Sequence, residues 1–134
     1  MEAVSGQAQT QPKPQRRILV AEDDEAIAKM LLKVLGQRYA VEHAKDGEAA
    51  LFLARKTAPN LFIFDVMMPK IDGLQVARRV RETPALRSVP IIFLTGKTRP
   101  ADVVQGIQAG ARHYLTKPFK VDELLGKVTK ILGE

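Results

Sequence analysis

Several apolar runs in this chain end on a polar group able to do chemistry. Glu22, Asp23 and Asp24 follow the run RILVA (17–21). Asp65 stands near the end of LFIFDV (61–66), Thr95 closes PIIFLT (90–95), and Lys117-Pro118 follows HYLT (113–116). Three or more carboxylates held close together repel, so at neutral pH they need either a raised proton affinity or a cation. Carboxylate oxygens, a backbone carbonyl and waters suit Mg²⁺, which prefers few protein ligands. Lys117 adds a fixed positive charge and Thr95 a hydroxyl donor. Such a set can hold a tetrahedral oxyanion attached to a carboxylate, and an Asp carboxylate is a competent phosphoryl acceptor.

Each piece alone has a plainer meaning. An Asp at a strand end is usually a turn or cap residue, and an acidic cluster before a helix is favoured by the macrodipole. Their joint occurrence at strand after strand is what argues for one shared site, provided the elements bring the strand ends together.

The elements do that. The runs 17–21, 61–66 and 90–95 are almost continuously apolar, as strands covered on both faces are. YAVEHA (39–44) is mixed and fits a strand near an edge; HYLT (113–116) is a short fifth. Between them, 25–36, 47–57, 74–82, 100–109 and 121–132 carry apolar residues at helical spacing, with Pro100 suited to a first turn and Gly110 to a stop. Five strands alternating with five helices predict an α/β fold: a doubly wound, five-stranded parallel sheet of flavodoxin-like order 2-1-3-4-5. Such sheets bind ligands at the carboxyl ends of their strands, where these polar groups fall.

The chain has 134 residues, enough for one domain. Residues 1–15, rich in Gln and Pro, read as a flexible polar tail, and 16–134 as the domain. The absence of cysteine excludes disulfides, thiolate metal sites and cysteine nucleophiles. No apolar run is long enough for a membrane span or a secretory signal, so a cytoplasmic location is expected. The net charge of +6 is compatible with acidic partners, yet aromatics are only 5% and lack the stacking pattern of a single-strand binder.

The segments ILVAEDDEAI, LFIFDVMMPKIDGLQVARRVR, PIIFLTG and GARHYLTKPFKVDELL together resemble the response-regulator receiver domain of two-component signalling, over about residues 16 to 133. The resemblance implies a role for each matching residue. Asp65 would be the phosphoacceptor. Glu22 and Asp23 would be the acidic pair around Mg²⁺, joined by the backbone carbonyl of Met67. Thr95 would be the switch hydroxyl and Tyr114 the aromatic that turns inward with it. Lys117 would ion-pair with the phosphoryl group, and the peptide before Pro118 would be cis. Pro69 and Gly73 match the turn after the acceptor, where glycine would tolerate a positive φ. Asp24 falls just beyond the acidic pair and reads as a helix cap. Gly96 departs from the usual alanine, and Met67 and Lys97 occupy variable positions beside the acyl phosphate.

The implied function is a switch rather than a conventional enzyme. The expected phosphodonor is a sensor histidine kinase or phosphotransfer protein. The expected output surface is the face of the fourth helix (100–109), fifth strand and fifth helix, acting as a monomer or a phosphorylation-dependent dimer. A basic edge (Arg112, His113, Lys117, Lys120) hints at an acidic partner. The chain closes after the fifth helix, which fits a stand-alone receiver or a piece of a longer regulator. A phosphorylation-independent module would lack a site residue, and none is missing. A phosphatase with an Asp nucleophile would carry an acid where Met67 stands. Direct nucleic-acid binding is not expected, since no helix-turn-helix follows.

Overall fold

The computed structural model describes residues 15–96 and 113–133. Five strands, β1 (Arg17–Ala21), β2 (Ala40–Ala44), β3 (Leu61–Asp65), β4 (Ile91–Thr95) and β5 (His113–Thr116), form one sheet. All neighbouring pairs are parallel and the order is β2-β1-β3-β4-β5, as expected. Four helices lie among the described residues: α1 (Glu25–Leu35), α2 (Gly47–Thr57), α3 (Gly73–Arg81) and the last, α4 (Val121–Leu132). The helix expected over 100–109, and nearly all of the expected tail, lie outside the described residues.

The continuous apolar runs have the predicted cause. β3 and β4 are buried along their whole lengths, whereas the edge strands β2 and β5 are mostly half-buried. Successive strand side chains point to opposite faces, and the core divides accordingly. Leu19, Phe62, Phe64 and Phe93 pack with Leu51 and Ala54 of α2 and with Val76, Ala77 and Val80 of α3. Ile18, Val20, Ile63, Ile92 and Leu94 pack with Leu31 and Leu35 of α1 and with Leu124 and Val128 of α4. Phe62 and Phe64 stack at 4.9 Å between ring centroids.

Each of the first three helices opens on an aspartate. Asp24, Asp46 and Asp72 accept from the amides of Ile27, Ala49 and Gln75 at 3.1, 2.9 and 2.9 Å. At α3 the Gln75 side chain accepts in return from the Asp72 amide at 3.3 Å, closing a capping box. These caps satisfy donors that would otherwise be unpaired. They also fix where the chain leaves each strand end, and therefore where the rim residues stand.

Two phenylalanines ten residues apart sit at the extremes of this packing: Phe62 is fully buried and Phe52 is 63% exposed. Urea unfolding is expected to show Phe62→Ala costing about 3–5 kcal/mol and Phe52→Ala about 0.5 kcal/mol or less. Equal losses would contradict the division of the core.

Candidate functional site: an acidic rim with a captive lysine

Glu22 follows β1 directly, and its amide donates to the carbonyl of Ala44 at 3.0 Å, continuing the β1–β2 ladder. Its own carbonyl lies 2.6 Å from His43 Nε2. A carbonyl only accepts, so that ring nitrogen carries the proton. Held from both sides, Glu22 is fully buried, an unusual position for a carboxylate. Its Oε2 accepts from the Asp24 amide at 3.2 Å.

Asp65 ends β3 and is 5% exposed. Its Oδ1 accepts from the Met67 amide at 3.2 Å, which sets the plane of the carboxylate. Beyond it the chain is held close: Val66 donates to Leu94 and Gly73 donates to Val66, both at 3.0 Å. A Cβ on Gly73 would stand 2.1 Å from the carbonyl oxygen of Asp65. Gly73 does not have a positive φ. The turn therefore needs glycine for close backbone approach, and the expected conformational reason is corrected. The left-handed residue of this loop is Lys70, with φ 69°.

Lys117 arrives from the opposite side of the rim. Its amide donates to the Thr95 carbonyl at 2.7 Å, and the Lys117–Pro118 peptide is cis. Its ammonium lies 2.8 Å from Glu22 Oε1 and 3.3 Å from Asp65 Oδ2, with 20% of the side chain exposed. That corrects the reading of Lys117 as part of a basic docking edge, because its charge is turned inward. Arg112 of the same edge lies outside the described residues. Lys120 is exposed and opens α4, its amide donating to Glu123 at 3.1 Å. Thr95 is buried at the end of β4. Tyr114 is half-buried, its ring 5.8 Å from that of Phe93. Met67 presents a side chain that is 74% exposed.

The electrostatics follow from burial. Desolvation, reinforced by Glu22, pushes the Asp65 carboxyl up to about 7, against the opposing pull of Lys117 and the Met67 amide. Burial lowers the proton affinity of Lys117, but Glu22 and Asp65 outweigh it and the net shift is upward. One ammonium thus serves two buried carboxylates and does not satisfy both.

Glu22, Asp23 and Asp65 each offer an oxygen, all within 4.8 Å of one another. Glu22 Oε1 is fully buried against the Lys117 ammonium, 2.8 Å away. An all-oxygen donor set with surplus negative charge fits a hard divalent cation such as Mg²⁺.

The fold and this rim define a receiver domain. The response regulator receiver domain family model matches residues 18–129, and the chain belongs to that family. It is 44% identical over 117 residues to the transcriptional regulatory protein RprY of Bacteroides fragilis, covering 87% of this chain and 49% of RprY. Among solved structures it resembles chemotaxis protein CheY4 of Vibrio cholerae, with TM-score 0.84 and 32% identity over 87% of this chain and 98% of that one. The BeF3-activated receiver domain of DrrB, a Thermotoga maritima protein, matches with TM-score 0.80 and 32% identity over 90% of this chain and 99% of that one. The chain spans about half the length of the curated relatives it matches. Among the described residues no helix is long and apolar enough to cross a membrane.

Two positioning features carried no signal in the sequence. His43 sits in a mixed edge strand like any half-buried histidine. Gly47 looks like a turn glycine, yet a Cβ there would lie 2.3 Å from the carbonyl oxygen of Ile71, so the start of α2 abuts the loop after Asp65.

The Asp65 shift makes stability pH-dependent. Between about pH 4 and pH 7 the native carboxyl keeps its proton while the unfolded one has lost it, so stability falls as pH rises through that window. In metal-free buffer Asp65→Asn is expected to equal wild type near pH 4. By pH 8 it should be more stable by about 1–2 kcal/mol, less than full conversion of the shift because the rim relaxes around the ionised carboxylate. A gap independent of pH in thermal or urea unfolding would contradict the assignment.

Proposed function

We propose that this chain is a phosphorylation-activated switch whose acceptor is Asp65, served by Mg²⁺ held at Glu22, Asp23, Asp65 and the Met67 carbonyl. The observation that carries the reading is the contact of one ammonium, Lys117, with both Glu22 and Asp65 beside a third carboxylate. A sensor histidine kinase or phosphotransfer protein supplies the phosphoryl group as phosphohistidine. An ionised Asp65 oxygen attacks phosphorus in line. The P–N bond breaks, its electron pair leaves on the imidazole nitrogen, and an acyl phosphate remains. The bound cation supplies charge neutralisation at the phosphoryl oxygens. Met67 holds the carboxylate in plane through its amide, and Lys117 transfers its ion pair from the carboxylate to the new phosphoryl group. Attack of water later breaks the O–P bond and releases phosphate, so the domain assists both its loading and its unloading without being a conventional enzyme.

The added negative charge then requires donors. Thr95, at the end of the neighbouring strand, supplies a hydroxyl, and Tyr114 on β5 moves into the space it leaves. The surface of 100–109, β5 and α4 changes shape for a downstream protein partner, with the domain monomeric or dimerising when phosphorylated. A reversal of the two states from 1:99 to 99:1 requires about 5.5 kcal/mol of differential stabilisation. Phosphorylation supplies that leverage by replacing a single carboxylate charge with a group of about −2, which must draw on Lys117, the bound cation and the Thr95 hydroxyl together. The site lies in a cytoplasmic protein on this reading, and nucleic acid is not contacted directly.

The test is intact mass after incubation with Mg²⁺ and a small phosphodonor such as acetyl phosphate. One phosphoryl adduct is expected, lost in Asp65→Asn and with a chelator, and formed on the order of 10²-fold more slowly in Lys117→Ala. An adduct that survives Asp65→Asn, or none under any condition, overturns the proposal.

A further inference from the structure

On the sheet face away from α1 and α4, helices α2 and α3 leave a cleft of about 480 Å³ between them. Its apolar lining is Leu51, Phe52 and Ile71, and its charged rim is Arg55, Lys56, Arg79 and Glu48. Phe52 stands among the few large hydrophobic side chains exposed in the described residues. It does not stand singly, because Leu51 and Ile71 continue it into the cleft. An isolated exposed hydrophobe requires no explanation; this one stands over a small apolar floor ringed by charge, so the charge of the rim decides what the cleft can take.

The charge on that rim is not used internally. Of the arginines on α3, Arg81 is committed to the chain, donating to the carbonyls of Arg87 and Val89 at 2.8 Å each. Among the described residues no ion pair engages Arg55 or Arg79. Lys56 leans over the Phe52 ring at 5.6 Å, a cation–π approach that keeps its ammonium at the cleft. Glu48 is drawn toward Lys70, 3.3 Å away. The cleft thus presents three cations around an apolar floor, with its one anion already paired.

We infer that the α2–α3 cleft is a docking site for an acidic amphipathic helix of a partner protein, separate from the surface of β5 and α4. The helix would seat an apolar side chain beside Phe52 and Ile71 and set carboxylates against Arg55, Lys56 and Arg79. A second copy of this chain fits poorly, since it would bring the same cations face to face. A stacked nucleic-acid strand also fits poorly, because the floor is concave and mainly aliphatic with a single aromatic ring.

The experiment is an amide-resonance titration of the ¹⁵N-labelled, unphosphorylated chain. The probe is a synthetic helical peptide with Leu and Phe on one face and Glu on the other. The comparison probes are the same peptide with every Glu replaced by Lys, polyglutamate, oligothymidine and phosphatidylglycerol vesicles. The acidic peptide is expected to shift the signals of residues 51, 52, 71 and 79. Its affinity should fall about tenfold or more in Phe52→Ala and in the Arg55→Glu/Arg79→Glu double variant, with the Lys peptide not binding. Shifts elsewhere, no binding, equal binding of polyglutamate, or preference for oligothymidine or vesicles would each overturn the inference. The titration uses neither metal nor phosphodonor, so its outcome is independent of the role given to Asp65.

Discussion

Like charges forced together in a half-dry rim are the condition around which this domain is organised. Glu22 is fully buried and Asp65 nearly so, with Asp23 completing a group of oxygens that lie within 4.8 Å. Bulk water would screen such a group, but burial removes most of that screening. The ammonium of Lys117 relieves part of the repulsion, and the remainder appears as the raised proton affinity of Asp65. The arrangement is stable only because the fold elsewhere supplies a large, well-packed core on both faces of the sheet.

The parallel sheet makes the gathering possible. Side-by-side strands running the same way put their carboxyl ends on one edge, so residues more than ninety positions apart in sequence become neighbours. Backbone bonds then bring the side chains into place. Glu22 is tied to β2 through Ala44, Lys117 is tied to β4 through Thr95, and Val66 is tied to β4 through Leu94. No long-range side-chain search is involved, because the ladders do the positioning.

Much of this was legible in the chain itself, for physical reasons. β3 and β4 announce themselves because strands covered on both faces admit almost no polar residue until they end, and that end is where Asp65 and Thr95 appear. The start of α1 was legible through its cap Asp24, whereas the same part played by Asp46 and Asp72 emerges only from the fold. What was not legible depends on distances between backbones. Gly73 looked like a conformational glycine, but its function is to leave room for the carbonyl of Asp65. Lys117 looked as though it could serve either the site or a basic edge, and only the fold shows its ammonium turned inward. The bond from His43 to the Glu22 carbonyl has no spacing rule to reveal it.

The close fit between Gly47 and Ile71 gives the loop after Asp65 a rigid neighbour. The missing side chain of Gly47 is filled by the Ile71 carbonyl, and Lys70 reaches Asp46 and Glu48 at 3.7 and 3.3 Å. Densely packed groups do not deform gradually. A side chain at position 47 would therefore have to part the loop from the helix, and both would leave the places the sheet gives them. The first turn of α2 and the loop that leaves the acidic rim are in this sense cut to one another's outline, at a position that carries no side chain at all.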